Sequence, residues 1–346
     1  MADPLLPPPR PSRLDLRRAE LWIVLAVIVF VGGFVLTAIL VGGDQVLANV
    51  RKLGLPVVLG MLALSLVNYS LRATRWLIYS RRIGVDVPIR ANLLYYFTGF
   101  ALTTTPSKIG ETLRHWLLER GHGYAYSRTL PLWVADRLND VTASLVLILA
   151  GLAAFSEYLW QVAIFLAVFA GFMTLIARPR LLLDIIGWTY GRIRRQRRVF
   201  AGFRRAVRFS SELFTPRLYV IGVGLAVLGW LAECLAFWWL LREMGAPLSF
   251  GQAVFVFSFS LLFGGVSLTP GGLGGFEASM IFLLNELGIA LDVAVAATAV
   301  IRAVTLWFAV GLGFCCMPFA LHRVRRPAGK DERRRRAQEM RDLKRK

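Results

Sequence analysis

Residues 98–114 read TGFALTTTPSKIGETLR, and residues 262–278 read LFGGVSLTPGGLGGFEA. Each stretch places a Thr-Pro, Thr105-Pro106 and Thr269-Pro270, after an apolar run too short to be a comfortable membrane span. Each then has a glycine four residues past the proline, Gly110 and Gly274, with an acid beyond it, Glu111 and Glu277. Thr269 follows Thr105 by 164 residues, close to half of the 346-residue chain. Hydrophobic segments interrupted by Gly and Pro at matching places in two halves point to a transporter binding site.

Composition around these stretches fixes the class. Hydrophobic residues make up 56% of the chain and mean hydropathy is +0.58, yet the formal net charge is +20. These facts agree only if the charges sit outside the apolar segments. The arginines cluster near the N-terminus (Arg10, Arg13, Arg17, Arg18), after the second span, within 178–217 and in the tail after 321. No polar stretch is long enough to build a soluble catalytic core. The basic excess reads as topogenic, since Lys and Arg stay on the cytoplasmic side, and not as a nucleic-acid footprint. Some attraction to anionic headgroups follows from it.

A full span needs about 20 apolar residues. Six segments qualify: 20–41, 56–79, 129–154, 159–177, 218–241 and 292–320. Residues 91–119 and 251–288 are each broken by their Thr-Pro. A helix from Ala91 to Thr105 would rise only about 21 Å, against a hydrocarbon core of about 30 Å. A re-entrant helical hairpin is the natural solution, although two true spans would give the second hairpin the same end points. The expected fold is all-α, with six transmembrane helices plus two re-entrant hairpins.

With a cytoplasmic N-terminus, every basic segment falls inside apart from Arg51, Lys52 and Arg242, as the positive-inside rule requires. The first hairpin then enters from the cytoplasm and the second from the other side, which makes an inverted repeat. The expected organisation is an arm over 1–19, a single membrane domain over 20–320 and a basic tail over 321–346. Within the domain, repeat halves 56–177 and 218–320 are joined by the loop 178–217. The arm PLLPPPRPSR is proline-rich and reads as disordered. The run 21–41 exceeds a signal-peptide h-region and reads as a retained span. The alternation of apolar and basic residues in 178–217 suits helices lying on headgroups.

Thr105 and Thr269 suit N-caps, and Pro106 and Pro270 suit a first helical position. Each tip would then start a helix whose free N–H groups favour an anion. Ser107 and Lys108 add a hydroxyl and a cation to the first tip. Gly271, Gly272 and Gly274 would let backbone approach a ligand at the second. The plainer reading is that Thr-Pro only turns the hairpin. Ionisable groups inside spans come next: Arg114 beside Glu111, then Asp136, Arg137 and Asp140, then Glu233, Glu277 and Arg302. Such groups face a bundle interior and pair, or line a pathway. They are either structural ion pairs or arginines for a headgroup phosphate with an acid carrying a proton. Arg72 and Arg75 read as anchors at the inner membrane edge. Cys234, Cys315 and Cys316 have no metal-ligand spacing, and no Walker motif, metal cluster or nucleophile triad is found. No cofactor, metal or enzyme activity is expected.

The motifs TTTPSKIGETLR, VADRLND and SLTPGGLGGFEASM, with a late arginine-bearing span, resemble the lysylphosphatidylglycerol synthase transmembrane-region family, often called flippase-like or UPF0104 proteins. The resemblance covers about 20–320. It implies a multi-pass protein of a bacterial or archaeal cytoplasmic membrane that handles lipids. In the founding synthases this region is similar to a flippase for aminoacylated phosphatidylglycerol, and a separate soluble domain makes that lipid. The family's charged and glycine positions map onto Glu111, Arg114, Asp136, Arg137, Asp140, Gly271, Gly272, Gly274 and Glu277. The paired hairpins are more loosely similar to those of DedA-type undecaprenyl-phosphate carriers. The expected activity is translocation of a phospholipid or polyprenyl-phosphate-type lipid. The alternative is a membrane subunit that binds lipid for, or docks, a lipid-modifying enzyme.

Overall fold

The computed structural model describes residues 43–104, 112–153, 215–267 and 269–325. The arm, the expected spans 20–41 and 159–177, the loop 178–214, the first tip 105–111 and the tail from 326 lie outside the described residues. Those that are described form helices and turns, without a strand among them.

A short helix, α1 (Gly43–Arg51), precedes α2 (Leu55–Arg82). The first hairpin is α3 (Ile89–Thr98), prolonged by a 3-10 turn Gly99–Leu102, and its return arm is α4 (Leu113–His122). Then comes α5 (Tyr126–Leu152). The second half begins with α6 (Pro216–Glu243) and continues with α7 (Phe250–Val266), a 3-10 turn Pro270–Gly272 and α8 (Gly275–Glu286). It ends with α9 (Leu291–Arg302), a π-helical stretch Ala303–Trp307 and α10 (Phe308–Arg325). The last helix continues beyond residue 320, where the sequence suggests that the tail begins.

Local chemistry sets these limits. Proline falls in the first turn of both α2 and α6, where its missing N–H costs nothing. Both helices stop the same way. Gly84 (φ 70°) and Gly245 (φ 76°) take the left-handed conformation that only glycine adopts cheaply, and the next N–H bonds back to Ser80 O and Leu241 O. Ser249 and Gln252 close a reciprocal cap at the start of α7.

Among the described residues, three helices are long and apolar enough to cross a membrane: Leu55–Arg82, Pro216–Glu243 and the joined Leu291–Val324. These correspond to the expected spans 56–79, 218–241 and 292–320. The expected span 129–154 is the continuous 27-residue α5, which carries Asp136, Arg137 and Asp140 midway. The hairpin arms are shorter. The first arm with its 3-10 turn rises about 23 Å, and the 17 residues of α7 rise about 26 Å.

Packing is reciprocal. α2 lies along α6, α3 and its 3-10 turn lie on α10, and α7 lies on α5. The first arm of each hairpin thus rests on a long helix from the other part of the chain. Close approach needs missing side chains: a Cβ on Gly313 of α10 would overlap the Ala101 backbone, and one on Gly151 of α5 would lie 2.6 Å from Phe255 N on α7. The core divides into a cluster around Phe237, Phe257 and Phe276 and another around Tyr69, Trp76, Tyr96 and Phe100.

Candidate functional site

One stripe of α2 begins the site. Ser65, Asn68, Tyr69, Arg72, Arg75, Trp76 and Tyr79 recur at helical spacing and are all buried. On α5, Asp136 and Asp140 stand one turn apart and answer the two arginines. Arg75 Nε donates to Asp136 Oδ1 at 2.9 Å, and Arg75 Nη2 reaches both Asp136 Oδ1 and Asp140 Oδ1, the latter at 2.7 Å. Arg72 Nη2 donates to Asp140 Oδ2 at 3.2 Å. Arg137 Nη2 lies 3.5 Å from an oxygen of each acid. Arg114 on α4 comes within 3.9 Å of Asp136 Oδ2, donates Nε to the Tyr96 carbonyl and stacks over the Tyr96 ring at 4.1 Å. Four arginines from three helices thus converge on two carboxylates. Arg75 is fully buried and Asp136 is 1% exposed, so this cluster is held without bulk water.

The second half holds a sparser set. Glu277, in the first turn of α8, presents Oε1 2.6 Å from Arg302 Nε. Its Oε2 accepts from the Gly274 N–H at 2.7 Å. Arg302 Nη2 donates to the Gly271 carbonyl at 3.0 Å, and its guanidinium lies 4.6 Å over Phe276. The π-helical stretch starts directly after Arg302, and Tyr69 of α2 donates its hydroxyl to the Thr305 carbonyl within it. Such local widening of a helix is frequent at functional sites.

A cavity of about 430 Å³ opens where the two groups meet. Arg72, Arg137 and Asp140 line it from one side, Arg302 from the other, and Glu233 of α6 completes the charged lining. Tyr69, Phe100, Trp133, Trp230, Phe257 and Phe276 supply aromatic walls. Both hairpins reach it, the first through Thr103 and the second through Thr269, Gly271 and Gly272. The second tip meets the end of the first arm: a Cβ on Gly271 (φ 63°) would lie 3.4 Å from Thr104 Cα. Buried polar groups here normally find partners. Yet among the described residues the indole N–H groups of Trp133 and Trp230 and the Thr103 hydroxyl find none, although all three residues line the cavity. Guanidinium, indole and hydroxyl donors above aromatic walls suit an anionic group attached to an apolar body. No cluster of three metal-ligating side chains occurs among the described residues.

The expected site residues divide three ways. Arg137, Asp140, Thr269, Gly271, Gly272 and Arg302 line the cavity. Arg114, Asp136, Gly274 and Glu277 stand behind it and hold the others. Thr105, Pro106, Ser107, Lys108, Gly110 and Glu111 lie outside the described residues.

Two local expectations are corrected. Pro270 opens a 3-10 turn and not the helix, which starts at Gly275. The Thr269 hydroxyl pairs with Ser267 Oγ at 2.8 Å, and Glu277 takes the Gly274 N–H that an anion would have used. Arg72 and Arg75 are not edge anchors. They sit in the buried stripe, where the regular spacing with Ser65, Asn68 and Tyr69 could have shown them, and Trp133 and Trp230 were missed because unpaired indoles have no sequence signature.

Comparison with known proteins bears on the whole chain. The family described as "Lysylphosphatidylglycerol synthase TM region" matches residues 22–313. Two similar proteins from Methanothermobacter thermautotrophicus (strain Delta H) are each called "UPF0104 membrane protein". One is 26% identical over 326 residues, covering 85% of this chain and 95% of the relative. The other is 25% identical over 271 residues, covering 72% and 79%.

Proposed function

We propose, for a chain that belongs to the lysylphosphatidylglycerol synthase transmembrane-region family of membrane proteins, that it moves a lipid with a phosphate-bearing headgroup between leaflets. It does so without covalent chemistry. The observation that carries this reading is the cavity between the hairpin tips, with three arginines and three unpartnered donors in an apolar, aromatic wall. A volume of about 430 Å³ suits a headgroup and not a whole lipid, so the acyl or prenyl chains would remain among the helices. Arg72, Arg137 and Arg302 bind the phosphate, and the tips contribute backbone and hydroxyl groups.

The finer architecture belongs to the same proposal. Six spans and two re-entrant hairpins form an inverted repeat, with both termini in the cytoplasm of a bacterium or archaeon. Support comes from the exchange of hairpin arms between halves and from arms too short for the bilayer. Non-helical backbone at membrane depth is tolerated where protein or a wet cavity covers it, as at Gly271. Rocking one half against the other would expose the cavity alternately.

Reconstitution in liposomes tests the proposal. Leaflet exchange is followed for labelled anionic and zwitterionic phospholipids and for a polyprenyl phosphate, with Arg137→Ala and Arg302→Ala in parallel. Exchange that is lipid-selective and lost in folded variants is expected. Absence of exchange by folded wild-type protein would overturn translocation in favour of a membrane subunit that presents lipid to an enzyme.

A further inference from the structure

Of the buried acids described, Asp136, Asp140 and Glu277 are each committed to arginine at 4.0 Å or less. Glu233 is different. It is 3% exposed, it lines the cavity, and no ion pair or hydrogen bond reaches its carboxylate from the described residues. The charged groups around it come from every neighbouring helix that has any. α2 supplies Tyr69 and Arg72, α5 supplies Asp140 and Arg137, and α9 supplies Arg302, itself tied to Glu277 of α8. α7 carries no titratable side chain, and Cys234 adjoins Glu233 on α6. The Glu233 charge is therefore offset through space chiefly by Arg72 and Arg302.

These are two of the guanidiniums assigned above to the phosphate. An anion seated on them would take the charges that make an ionised Glu233 tolerable, and would add its own repulsion in a low-dielectric setting. We propose that Glu233 is a proton-coupling site, taking up one proton when an anionic headgroup occupies the cavity and releasing it when the headgroup leaves. The phosphate oxygens then contact Arg72 and Arg302, whose charges no longer offset the Glu233 carboxylate across the cavity. The proton adds to a Glu233 oxygen, no covalent bond to the lipid forms, and the total charge of the site is unchanged by occupancy with a monoanion. This inference rests on the phosphate-binding reading of the cavity and assigns its coupling residue.

The experiment measures binding of a short-chain phosphatidylglycerol to the full-length protein in detergent, across a pH series, with inorganic phosphate as a second probe. The phosphodiester is chosen because it lacks the ionisation of a phosphomonoester at about pH 6. Proton uptake is read at the same time by an indicator dye in weak buffer. Wild-type protein is expected to take up one proton per lipid bound at those pH values where Glu233 is ionised in the empty cavity, and none below them. Its affinity should fall by up to about tenfold per pH unit as pH rises through the Glu233 titration. Glu233→Gln should bind the lipid with affinity independent of pH and without proton uptake. Weak inorganic phosphate binding would assign recognition to the phosphate itself, whereas lipid-only binding would require the apolar walls; either supports Glu233 when the proton uptake seen in wild type is lost in Glu233→Gln. Lipid binding by wild-type protein without proton uptake anywhere in the pH series would overturn the Glu233 assignment alone, whether or not the variant folds. An unchanged pH dependence in Glu233→Gln would do the same. No binding of either probe by folded wild-type protein would overturn the phosphate-site reading together with it.

Discussion

The arginine cluster at α5 can be separated into scaffold and site by a double-mutant cycle on Arg75 and Asp136. Neither residue lines the cavity, and both are buried in contact with each other. Asp136→Leu would leave Arg72, Arg75 and Arg137 sharing only Asp140, with Arg75 fully enclosed, and would leave Arg114 the Tyr96 carbonyl and ring. Removing one partner of such a buried pair costs about 3–5 kcal/mol, because the other charge stays in place uncompensated. At about 2–4 °C per kcal/mol for a domain of this size, the apparent Tm in detergent should fall by about 6–20 °C. Arg75→Leu should cost a similar amount.

The double variant Arg75→Leu/Asp136→Leu removes one charge of each sign. Asp140 keeps Arg72 and Arg137, and Arg114 keeps the Tyr96 carbonyl and ring. Replacing a whole buried pair by apolar groups is often neutral, so the double variant should recover most of the loss and come within about 1–2 kcal/mol of wild type. It should also exchange lipid in liposomes, since the cavity lining is intact. Losses that add in the double variant would refute the reasoning about the pair. A stable double variant that cannot move lipid would show that Arg75 or Asp136 belongs to the site and not to its scaffold.

Four further substitutions probe the cavity, the second tip and the packing of α10. Trp230→Phe keeps an aromatic wall beside Arg72 but removes an unpartnered donor. One hydrogen bond to a charged group is worth about 1.5–3 kcal/mol, so headgroup affinity should drop about tenfold or more while Tm is unchanged, as a binding titration and a melt will report. Gly271→Ala places a side chain at φ 63° against Thr104; it should cost about 1–2 kcal/mol and slow lipid exchange, and unaltered exchange would count against contact between the second tip and the first arm. Gly313→Leu drives a side chain into the Ala101 backbone and should lower Tm by an amount matching about 1–3 kcal/mol or more, whereas Gly311→Ala, with open space around it, should be neutral or stabilising in the same melt.

Hydropathy and punctuation made the fold class legible, because an apolar helix in lipid must satisfy its backbone within itself. Leu55–Arg82, Pro216–Glu243 and Leu291–Val324 each fall within a few residues of their expected ranges. The turn glycines and first-turn prolines explain why, since they act on backbone geometry and need no tertiary partner. The second tip was less legible. Thr269-Pro270 is a strong local signal for a helix start, but the left-handed glycines at 271, 272 and 274 carry the chain through another turn first. Glu277 then wins the helix end because its carboxylate can satisfy both Gly274 N–H and Arg302. A competition between two short-range caps is decided by a residue 25 positions away, which no window on the sequence contains.

Charge was legible in kind but not in role. Asp136, Asp140 and Arg302 could be named from the sequence because ionisable groups inside spans are costly and must be explained. Arg72 and Arg75 escaped because arginines in the last three turns of a span are ordinarily free to reach the membrane edge. What holds them inward is the pair of carboxylates on α5, more than sixty residues further along the chain. The two hairpins also meet the long helix that follows them with opposite charges. In the first, the hairpin's return arm carries the cation, Arg114, and the following long helix the acid, Asp136; in the second, the return arm carries Glu277 and the following helix Arg302. The consequence is functional as well as structural. The first half gathers enough arginine to lock its own acids and still present Arg72 and Arg137 to the cavity, while the second presents Arg302 with its hairpin tip attached through Gly271. An anion arriving between them is therefore met by groups anchored to both halves at once, which is the condition for its binding to bias how one half sits against the other.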